Sequence, residues 1–401
     1  MFVTSQAGSA RSDQLHRAIR DLLDRAVAAG DVPGVASAVG TRQGPIQDVM
    51  AGVVRVDAET AVTTDTIFRL ASMSKPLTSV AALQLVEQGR LRLDQEVATV
   101  LPEFAELQVL DGFDGDTPRL RPPRRSATVR ELLNHTSGLG YFFTNADLLK
   151  YHRVAQLSTE DGSRAGLKAP LVADPGTRWE YGMSTDYLGL VVEAVAGCDL
   201  NSYLTHCVFD PLDMRDTTFA PTLAQRRRLM PIHYRDSSSG LVAGDDVFAS
   251  DPQYWSGGGG AYGTARDYCR FATAILRDGQ LDGATILSSE SVNLMFEDLL
   301  VGVEFPDGIH SADPELTADV PFPPVKQSFA LGLNVLLEDL PGSRRAGSGG
   351  WSGICNTYFW IDRSAGIAAV LLTQVLPFND PPVAELAAQF ERCVYESIRV
   401  L

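Results

Sequence analysis

Residues 68–91 read "FRLASMSKPLTSVAALQLVEQGRL", and this segment says more about the architecture than any other. Lys75 stands three residues after Ser72 and directly before Pro76, where an apolar helical pattern begins. In a helix that starts near residue 72, positions three apart share a face, so the Lys75 amine can reach the Ser72 hydroxyl. Pro76 is tolerated because a first-turn residue has no intrahelical N–H bond to lose. The segment therefore predicts a Ser–Lys pair at a helix N-terminus.

The electrostatics of a helix N-terminus suit such a pair. Its partial positive charge disfavours a protonated Lys75 and favours an oxyanion, and a Ser–Lys mechanism requires both effects. The alternative interpretation is a helix-capping Ser72 beside a surface lysine. Composition weighs against that alternative, because the chain has thirty arginines and four lysines, so a surface cation would ordinarily be arginine. No G-x-S-x-G segment occurs, which removes the nucleophile elbow as a rival motif.

The overall composition limits the partners and the compartment. A net charge of -16 over 401 residues argues against a nucleic-acid partner, whose phosphates bind clustered cations. The N-terminus has no signal-peptide pattern and no apolar run approaches ~20 residues, so we expect no membrane span. Five scattered cysteines and six dispersed histidines lack metal-ligand or disulfide spacing. The sequence predicts a cytoplasmic protein with reduced thiols, no metal and no cofactor.

The two ends of the chain share one pattern of elements. A helix is predicted at each end of the chain. Two predicted strands follow the first helix in sequence, and two precede the last helix. Ser12 is placed to cap the first helix and Gly30 to end it. We therefore expect residues 1–70 and 235–401 to build one domain, an antiparallel sheet flanked by the N- and C-terminal helices. The predicted helices are Ser12–Ala29 and Val383–Val400, and the strands are Val35–Val39, Ile46–Val53, Gly353–Asp362 and Gly366–Gln374.

The middle of the chain, residues 71–234, reads as a mainly helical domain inserted into the first. Its predicted helices cover Leu77–Gln88, Thr128–Leu133 and Thr185–Ala196, and Thr128 with Glu131 makes a capping box. A cleft between the two domains is the expected location of a site. Residues 302–326 are acidic, proline-rich and aperiodic, which favours a surface excursion over the alternative of a lid or pocket wall.

Five further segments occur in an order that is typical of one superfamily. Together with the segment around Ser72, they resemble the class C β-lactamase-like superfamily of penicillin-recognising serine enzymes, and within it the family VIII carboxylesterases. The resemblance covers nearly the whole chain and implies an α/β fold of the α+β type, as in β-lactamases and transpeptidases. The segments are "LLNHTSGLGY" (132–141), "PGTRWEYGMSTDYLGLVVEAVAG" (175–197), "PLDMRDTTF" (211–219), "SGGGGAYGTARDYCRFATAIL" (256–276) and "GGWSGICNTYFWID" (349–362).

The second motif of that superfamily is usually a Tyr-x-Asn triplet. Tyr181-Gly182-Met183 matches it, with the tyrosine kept and the asparagine replaced by methionine. The resemblance implies that Tyr181 is a catalytic phenol, which relays a proton between Ser72 and the leaving group with help from Lys75. The alternative is a buried tyrosine that pins the loop of Trp179. Asp186, in the first turn of the next helix, could be a helix cap or an anchor behind the site, and the structural role is favoured.

The third motif is a Lys-Thr-Gly in β-lactamases, and this chain has no Lys-Thr pair. Trp351-Ser352-Gly353 stands at the matching place and resembles the Trp-Gly-Gly of the esterases. Its glycine is expected to let substrate approach the strand backbone. The resemblance implies that the Ile354 N–H forms an oxyanion hole with the Ser72 N–H. The residues predicted to bind substrate are Trp351, Ser352, Gly353, Tyr141 and Met183.

These features rank hydrolysis of a neutral, small-molecule carboxylic ester first, through an acyl-Ser72 intermediate. Trp351 cannot pair with the carboxylate of a β-lactam, and Met183 cannot hydrogen-bond as an amide does. The main alternative is acyl transfer to an alcohol or amine acceptor. A β-lactamase, a D-amino-acid peptidase or a non-catalytic binding protein of the same fold ranks lower. The oligomeric state stays open.

Overall fold

A seven-stranded antiparallel sheet forms the centre of the molecule. The computed structural model describes residues 3–44, 46–158, 162–236, 240–248 and 251–399. The strands of this sheet lie in the order β13-β14-β15-β16-β17-β1-β2, so both ends of the chain meet in it. They are β1 (Gly34–Thr41), β2 (Gln47–Gly52), β13 (Gln327–Phe329), β14 (Asn334–Leu336), β15 (Gly349–Gly353), β16 (Thr357–Asp362) and β17 (Ile367–Leu372).

Outside this sheet the described ranges contain ten α-helices and eleven short strands, together with short 3₁₀ and π turns. The helices are α1 (Val3–Ala29), α2 (Ser74–Glu87), α3 (Val129–Leu133), α4 (Ala146–Val154), α5 (Ser184–Ala196), α6 (Leu200–Leu204), α7 (Leu223–Arg226), α8 (Ala265–Leu276), α9 (Ser289–Leu294) and α10 (Pro381–Arg399). The strands are β3 (Phe68–Arg69), β4 (Val109–Asp114), β5 (Thr117–Arg121), β6 (His233–Asp236), β7 (Gly240–Ala243), β8 (Tyr262–Gly263), β9 (Gln280–Leu281), β10 (Ala284–Thr285), β11 (Gly308–Ile309), β12 (Val320–Pro321) and β18 (Val375–Leu376).

The terminal helices cover the outer face of the sheet. Helices α1 and α10 pack against each other and bury Leu23 and Phe390 together with strand residues such as Val35 and Leu371. The same side chains make each helix amphipathic, because apolar positions recur every three to four residues. This packing confirms the predicted antiparallel sheet flanked by N- and C-terminal helices.

The inner face of the sheet carries the larger core. Helix α8 packs there, and its Tyr268 and Phe271 join one continuous cluster with α2 and α5. Helix α2 lies at the centre, and Ser74 to Leu85 are all buried. A helix that is apolar on every side must be surrounded by protein, so α2 is a rigid base for the residues at its start. Both predicted domains, residues 71–234 and residues 1–70 with 235–401, contribute side chains to this one core. The two-domain division therefore stays a prediction.

Most predicted elements are present, and two expectations need correction. The capping box of Thr128 and Glu131 is confirmed. The first helix begins at Val3, so position 12 lies inside it and not at its start, and Gly30 ends it in a left-handed conformation. The predicted strand Gly353–Asp362 is two strands, β15 and β16, paired through a turn at 354–356. The last helix ends at Arg399, and Val400 lies outside the described residues.

No helix in the described part of the chain is long and apolar enough to cross a membrane. All five cysteines are free. Within the same described ranges, no three His, Cys, Asp or Glu side chains are placed to hold a metal ion.

Candidate active site

Ser72 lies in a single 3₁₀ turn, Ala71–Met73, immediately before α2. The turn is held from both sides. Ser74 Oγ donates to Ala71 O at 2.6 Å and accepts from Ala261 N at 2.9 Å. The hydroxyl of the fully buried Tyr268 donates to Met73 O at 2.8 Å. Ala71 has a φ of 48°, a conformation that costs energy for a residue with a Cβ, so these bonds fix an unfavourable backbone that presents Ser72.

Lys75 points its amine at Ser72 from one turn further along. Its Nζ atom lies 3.2 Å from Ser72 Oγ, 3.1 Å from Tyr141 Oη and 2.9 Å from Gly258 O. Only 1% of Lys75 is exposed. The predicted Ser–Lys contact therefore exists, and bulk water has no access to the amine.

Tyr181 approaches Ser72 from the opposite side. Its Oη atom lies 2.6 Å from Ser72 Oγ and 3.3 Å from Trp351 Nε1. Tyr181 precedes α5, where Met183 is the N-cap residue. The chain thus brings Ser72, Lys75 and Tyr181 into direct contact, as the motifs predict.

Tyr141 has a closer relation to the reactive groups than its predicted role as a substrate contact implies. Besides contacting Lys75, its hydroxyl donates to Asp186 Oδ2 at 3.1 Å. Asp186 Oδ1 accepts from Ser256 Oγ at 2.5 Å and from Gly258 N at 3.2 Å. Asp186 is buried in the first turn of α5 and its side chain caps no helix end. It holds the groups that surround Lys75.

The glycine at position 258 is required by this arrangement. A Cβ added there would lie 2.5 Å from Asp186 Oδ2 and 2.8 Å from Tyr141 Oη, which is closer than real Cβ contacts. The glycine run of residues 257–260 is predicted only as part of a family segment. Its packing role depends on residues far away in the chain.

Aromatic rings support the Tyr181 side of Ser72. Trp179 stacks on Tyr181 with 6.2 Å between ring centroids, and Trp351 lies 5.2 Å away. His135 also touches the Tyr181 ring and is completely buried. Burial, with a smaller contribution from the nearby Lys75, holds the pKa of His135 well below its usual value of 6.5. The imidazole is therefore neutral at physiological pH and acts as part of the aromatic packing.

Two cavities of very different size meet at Ser72. The larger measures about 660 Å³ and the smaller about 60 Å³, and both are also lined by Ile354. The large cavity has Met183 and Tyr141 in its wall, and Trp351, Ser352 and Gly353 line the small one. Further residues of the large cavity include Phe142, Leu149, Leu157, Phe248 and Tyr254, and those of the small one include Phe143, Ile309, Val320, Phe322 and Phe378.

Residues 302–326 form part of both cavity walls, so the favoured interpretation as a surface excursion is wrong. The segment contains the β11–β12 hairpin, and Phe305 stacks on Phe322 with 4.9 Å between centroids. Phe305 also packs against Trp179, and Phe322 against Trp351. The aromatic contacts tie the segment to the Tyr181 side of the site. The segment is a pocket wall, in agreement with the alternative interpretation of a lid or pocket wall.

Gly353 has a reason for being glycine that differs from the predicted one. A Cβ there would lie 2.4 Å from Leu70 O, so the missing side chain allows β15 to approach the turn that carries Ser72. This close approach places Ile354 beside Ser72, as an oxyanion hole formed by their two N–H groups would require. That role stays a prediction, as do the substrate contacts.

The geometry can now be compared with known proteins. A family model described as Beta-lactamase matches residues 19–392, and the chain belongs to this family. Monacolin J acid methylbutanoyltransferase from Aspergillus terreus is 37% identical over 347 residues, 82% of each chain. Lovastatin esterase from Penicillium rubens is 31% identical over 351 residues, 82% of this chain and 85% of that one. The solved structure of a LovD6 mutant of simvastatin synthase, from Aspergillus terreus, has a TM-score of 0.84 at 30% identity and covers 96% of this chain and 97% of its own.

These similarities confirm the superfamily and the fold that the motifs predict. The chain is an enzyme of the β-lactamase-like serine hydrolases and acyltransferases. The narrower assignment to the family VIII carboxylesterases stays a prediction. The relatives also change the ranking of activities, because methylbutanoyl transfer appears in the names of relatives from Aspergillus terreus and Penicillium citrinum.

Proposed function

We propose that the enzyme transfers a short acyl group from an ester donor, through acyl-Ser72, to a bulky alcohol acceptor. The observation that carries this proposal is the pair of unequal cavities meeting at Ser72. At roughly 10–15 Å³ per water-sized volume, 60 Å³ holds about four to six heavy atoms, which suits a short acyl chain. The cavity of about 660 Å³ lies within the size range of sites for drug-sized molecules.

Each half of the reaction uses the groups around Ser72. In the first, Ser72 Oγ bonds to the acyl carbon, the bond from that carbon to the donor alcohol breaks, and the alcohol departs with a proton. Lys75 and Tyr181 are both within reach of the serine proton and exchange it with the leaving oxygen. In the second half, the acceptor hydroxyl replaces the donor alcohol and Ser72 regains its proton. The N–H groups of Ser72 and Ile354 are proposed to stabilise the oxyanion in both halves.

The relatives support transfer over the hydrolysis that the motifs ranked first. Monacolin J acid methylbutanoyltransferase names a five-carbon acyl group, of the size that the small cavity accepts. Hydrolysis is the second candidate, because lovastatin esterase is 31% identical and the same residues serve both reactions. The two differ in whether water or an alcohol reaches the acyl-enzyme.

The test is the fate of the acyl group. The enzyme is given p-nitrophenyl 2-methylbutanoate with no acceptor, with butanol, or with monacolin J acid and other multi-ring alcohols. Mass spectrometry then quantifies the new ester and free 2-methylbutanoic acid. We expect a bulky alcohol to capture most of the acyl groups at concentrations where butanol captures few. Free acid as the sole product with every acceptor would identify a hydrolase, and Ser72→Ala serves as the control for uncatalysed transfer.

A further inference from the structure

The groups around Ser72 form one hydrogen-bonded chain. The group at one end can only donate a hydrogen bond, and the group at the other end can only accept one. In order, the chain runs Trp351, Tyr181, Ser72, Lys75, Tyr141 and Asp186, and successive polar atoms lie 2.6 to 3.3 Å apart. An indole N–H can only donate, and an ionised carboxylate can only accept. The four groups between them each can do both when Lys75 is a neutral amine.

The direction of the chain follows from the Asp186 end. Asp186 is 1% exposed, and a carboxylate buried to this degree needs donors on its oxygens. Tyr141 supplies one, so its proton faces Asp186 and its oxygen faces Lys75. Lys75 must then donate one N–H to Tyr141 and another to Gly258 O, which is a carbonyl and only accepts. A neutral amine has two N–H groups, and both are now used.

We propose that Asp186 and Tyr141 are positioning residues, which turn the lone pair of Lys75 toward Ser72. The Ser72 proton then points at Lys75, and the Ser72 oxygen accepts from Tyr181, whose own oxygen accepts from Trp351. During acylation the serine proton moves to Lys75 as Oγ bonds to the acyl carbon. Tyr181 gives its proton to the departing oxygen, and the resulting phenolate and ammonium are returned to neutral when the acceptor alcohol reverses both transfers.

Two features of the fold serve this arrangement. Ser256 Oγ and Gly258 N both donate to the other oxygen of Asp186, so the carboxylate keeps one of these bonds, and its orientation toward Tyr141, when the other bond is removed. The glycine at 258 leaves room for Asp186 and Tyr141 to meet. Neither feature contacts Ser72 directly. They matter because they fix which atom of Lys75 faces the nucleophile.

The experiment measures the first step alone. It rests on the proposed acyl-Ser72 chemistry, so the p-nitrophenol burst and the mass of the acyl-enzyme are recorded for wild type, Tyr141→Phe, Asp186→Asn and Ser256→Ala. Tyr141→Phe keeps the ring and removes only the hydroxyl, so it preserves packing. We expect Tyr141→Phe and Asp186→Asn each to slow acylation by about a hundredfold, the low end for general base catalysis, with little change in KM. Ser256→Ala keeps the link to Tyr141 and should cost less than about fivefold.

A pH–rate profile separates positioning from structural damage. In Tyr141→Phe the Lys75 amine loses one of its hydrogen-bond partners, so the shape of the acylation profile should change while the maximal rate falls. An unchanged profile with at least half the wild-type rate would overturn the proposal. Ser256→Ala being as slow as Asp186→Asn would also overturn it, because Asp186 would then only hold the glycine loop. Absence of an acyl-enzyme in the wild type would instead refute the proposed function.

Discussion

The groups around Ser72 fall into two regions of opposite character, one polar and closed, the other aromatic and facing the smaller cavity. On the first side, Lys75 and Asp186 are buried and every contact described above is a hydrogen bond of defined direction. On the second, Tyr181 is surrounded by the rings of Trp179 and Trp351. We propose that the polar side fixes the orientation of Lys75, whereas the rings around Tyr181 set the shape that a substrate must have.

The two sides also differ in charge. Trp351 offers a neutral N–H where a β-lactamase has the lysine of its third motif, and among the residues that the structure describes no arginine lines the small cavity. Arg344, which is near in sequence, forms an ion pair with Glu391 at 3.1 Å instead. The aromatic side therefore has nothing to replace the hydration of a substrate carboxylate.

The largest expected effect on kcat comes from substitutions on the polar side. Lys75→Arg should be nearly as damaging as Lys75→Ala, because a guanidinium does not give up its proton and is too large for this buried position. We expect both to lose about four orders of magnitude or more in kcat, as members of one catalytic unit do. Lys150→Arg, at a half-buried lysine of α4, is the matched control. Retention of more than a tenth of the activity by Lys75→Arg would show that only charge matters at this position.

The second prediction concerns the missing cation of the aromatic side. Catalytic efficiency on a short-chain p-nitrophenyl ester should exceed that on nitrocefin or a penicillin by at least about a thousandfold, roughly 4 kcal/mol of transition-state discrimination. The reason is the cost of placing a carboxylate beside Trp351 without a partner. Equal efficiencies on the ester and nitrocefin would contradict this interpretation of Trp351.

The third prediction compares the two proton carriers. Tyr181→Phe should lower kcat on an alkyl ester by about a hundredfold while KM changes little, because the hydroxyl acts during proton transfer. For a p-nitrophenyl ester the loss should be about tenfold or less, since that leaving group needs no protonation. Equal losses on both esters would remove the leaving-group role from Tyr181 and assign it to Lys75.

The fourth prediction sharpens the role of shape. Phe322→Ala removes a ring from the small cavity and should shift the preferred donor from butanoyl toward octanoyl p-nitrophenyl esters by about tenfold in relative kcat/KM, a size typical of one hydrophobic contact. Phe305→Ala, which takes away the stacking partner without enlarging the cavity wall directly, is the control. The same chain-length profile in wild type and Phe322→Ala would mean that the acyl group lies elsewhere.

The smallest expected effect is on stability. The pKa of His135 is depressed in the folded protein, so its contribution to stability is present above pH 6.5 and is lost as the pH falls below that value. Its share of the loss is at most about 1.4 kcal/mol per pH unit. His135→Asn keeps a residue that tolerates the φ of 59° at this position and should flatten the decline between pH 6.5 and 5.5. Denaturant titrations that run parallel for both proteins over this range would contradict the expectation.

The parts of the site that the sequence predicts are those with local spacing or a matching motif. Ser72 and Lys75 are three residues apart on one turn, so their contact follows from helix geometry alone. Tyr141 is far from both Lys75 and Asp186 along the chain, and only the packed core brings the three together. Its hydroxyl could not be placed from spacing. The contacts of Asp186 cannot be predicted from spacing for the same reason, although the sequence correctly predicts that Asp186 lies in the first turn of α5.

Two errors have simple physical causes. The β15–β16 turn contains no glycine or proline, and its one signal is Asn356, which adopts a φ of 56° that asparagine accepts better than most residues. The acidic and proline content of residues 302–326 predicts a surface excursion, whereas Phe305 and Phe322 determine where the segment packs. Average composition describes the exposed side chains of a wall and misses the few rings that anchor it.

The wall formed by residues 302–326 has a consequence for how such enzymes diversify. It lies outside the 3₁₀ turn that carries Ser72 and outside helix α2 that carries Lys75, and most of its side chains are partly or fully exposed. Insertions, deletions and substitutions in it can therefore remodel the accepted substrate while the reactive groups and the buried core stay the same. A laboratory library confined to this segment would explore new specificities with few variants lost to misfolding, because exposed positions tolerate mutation best.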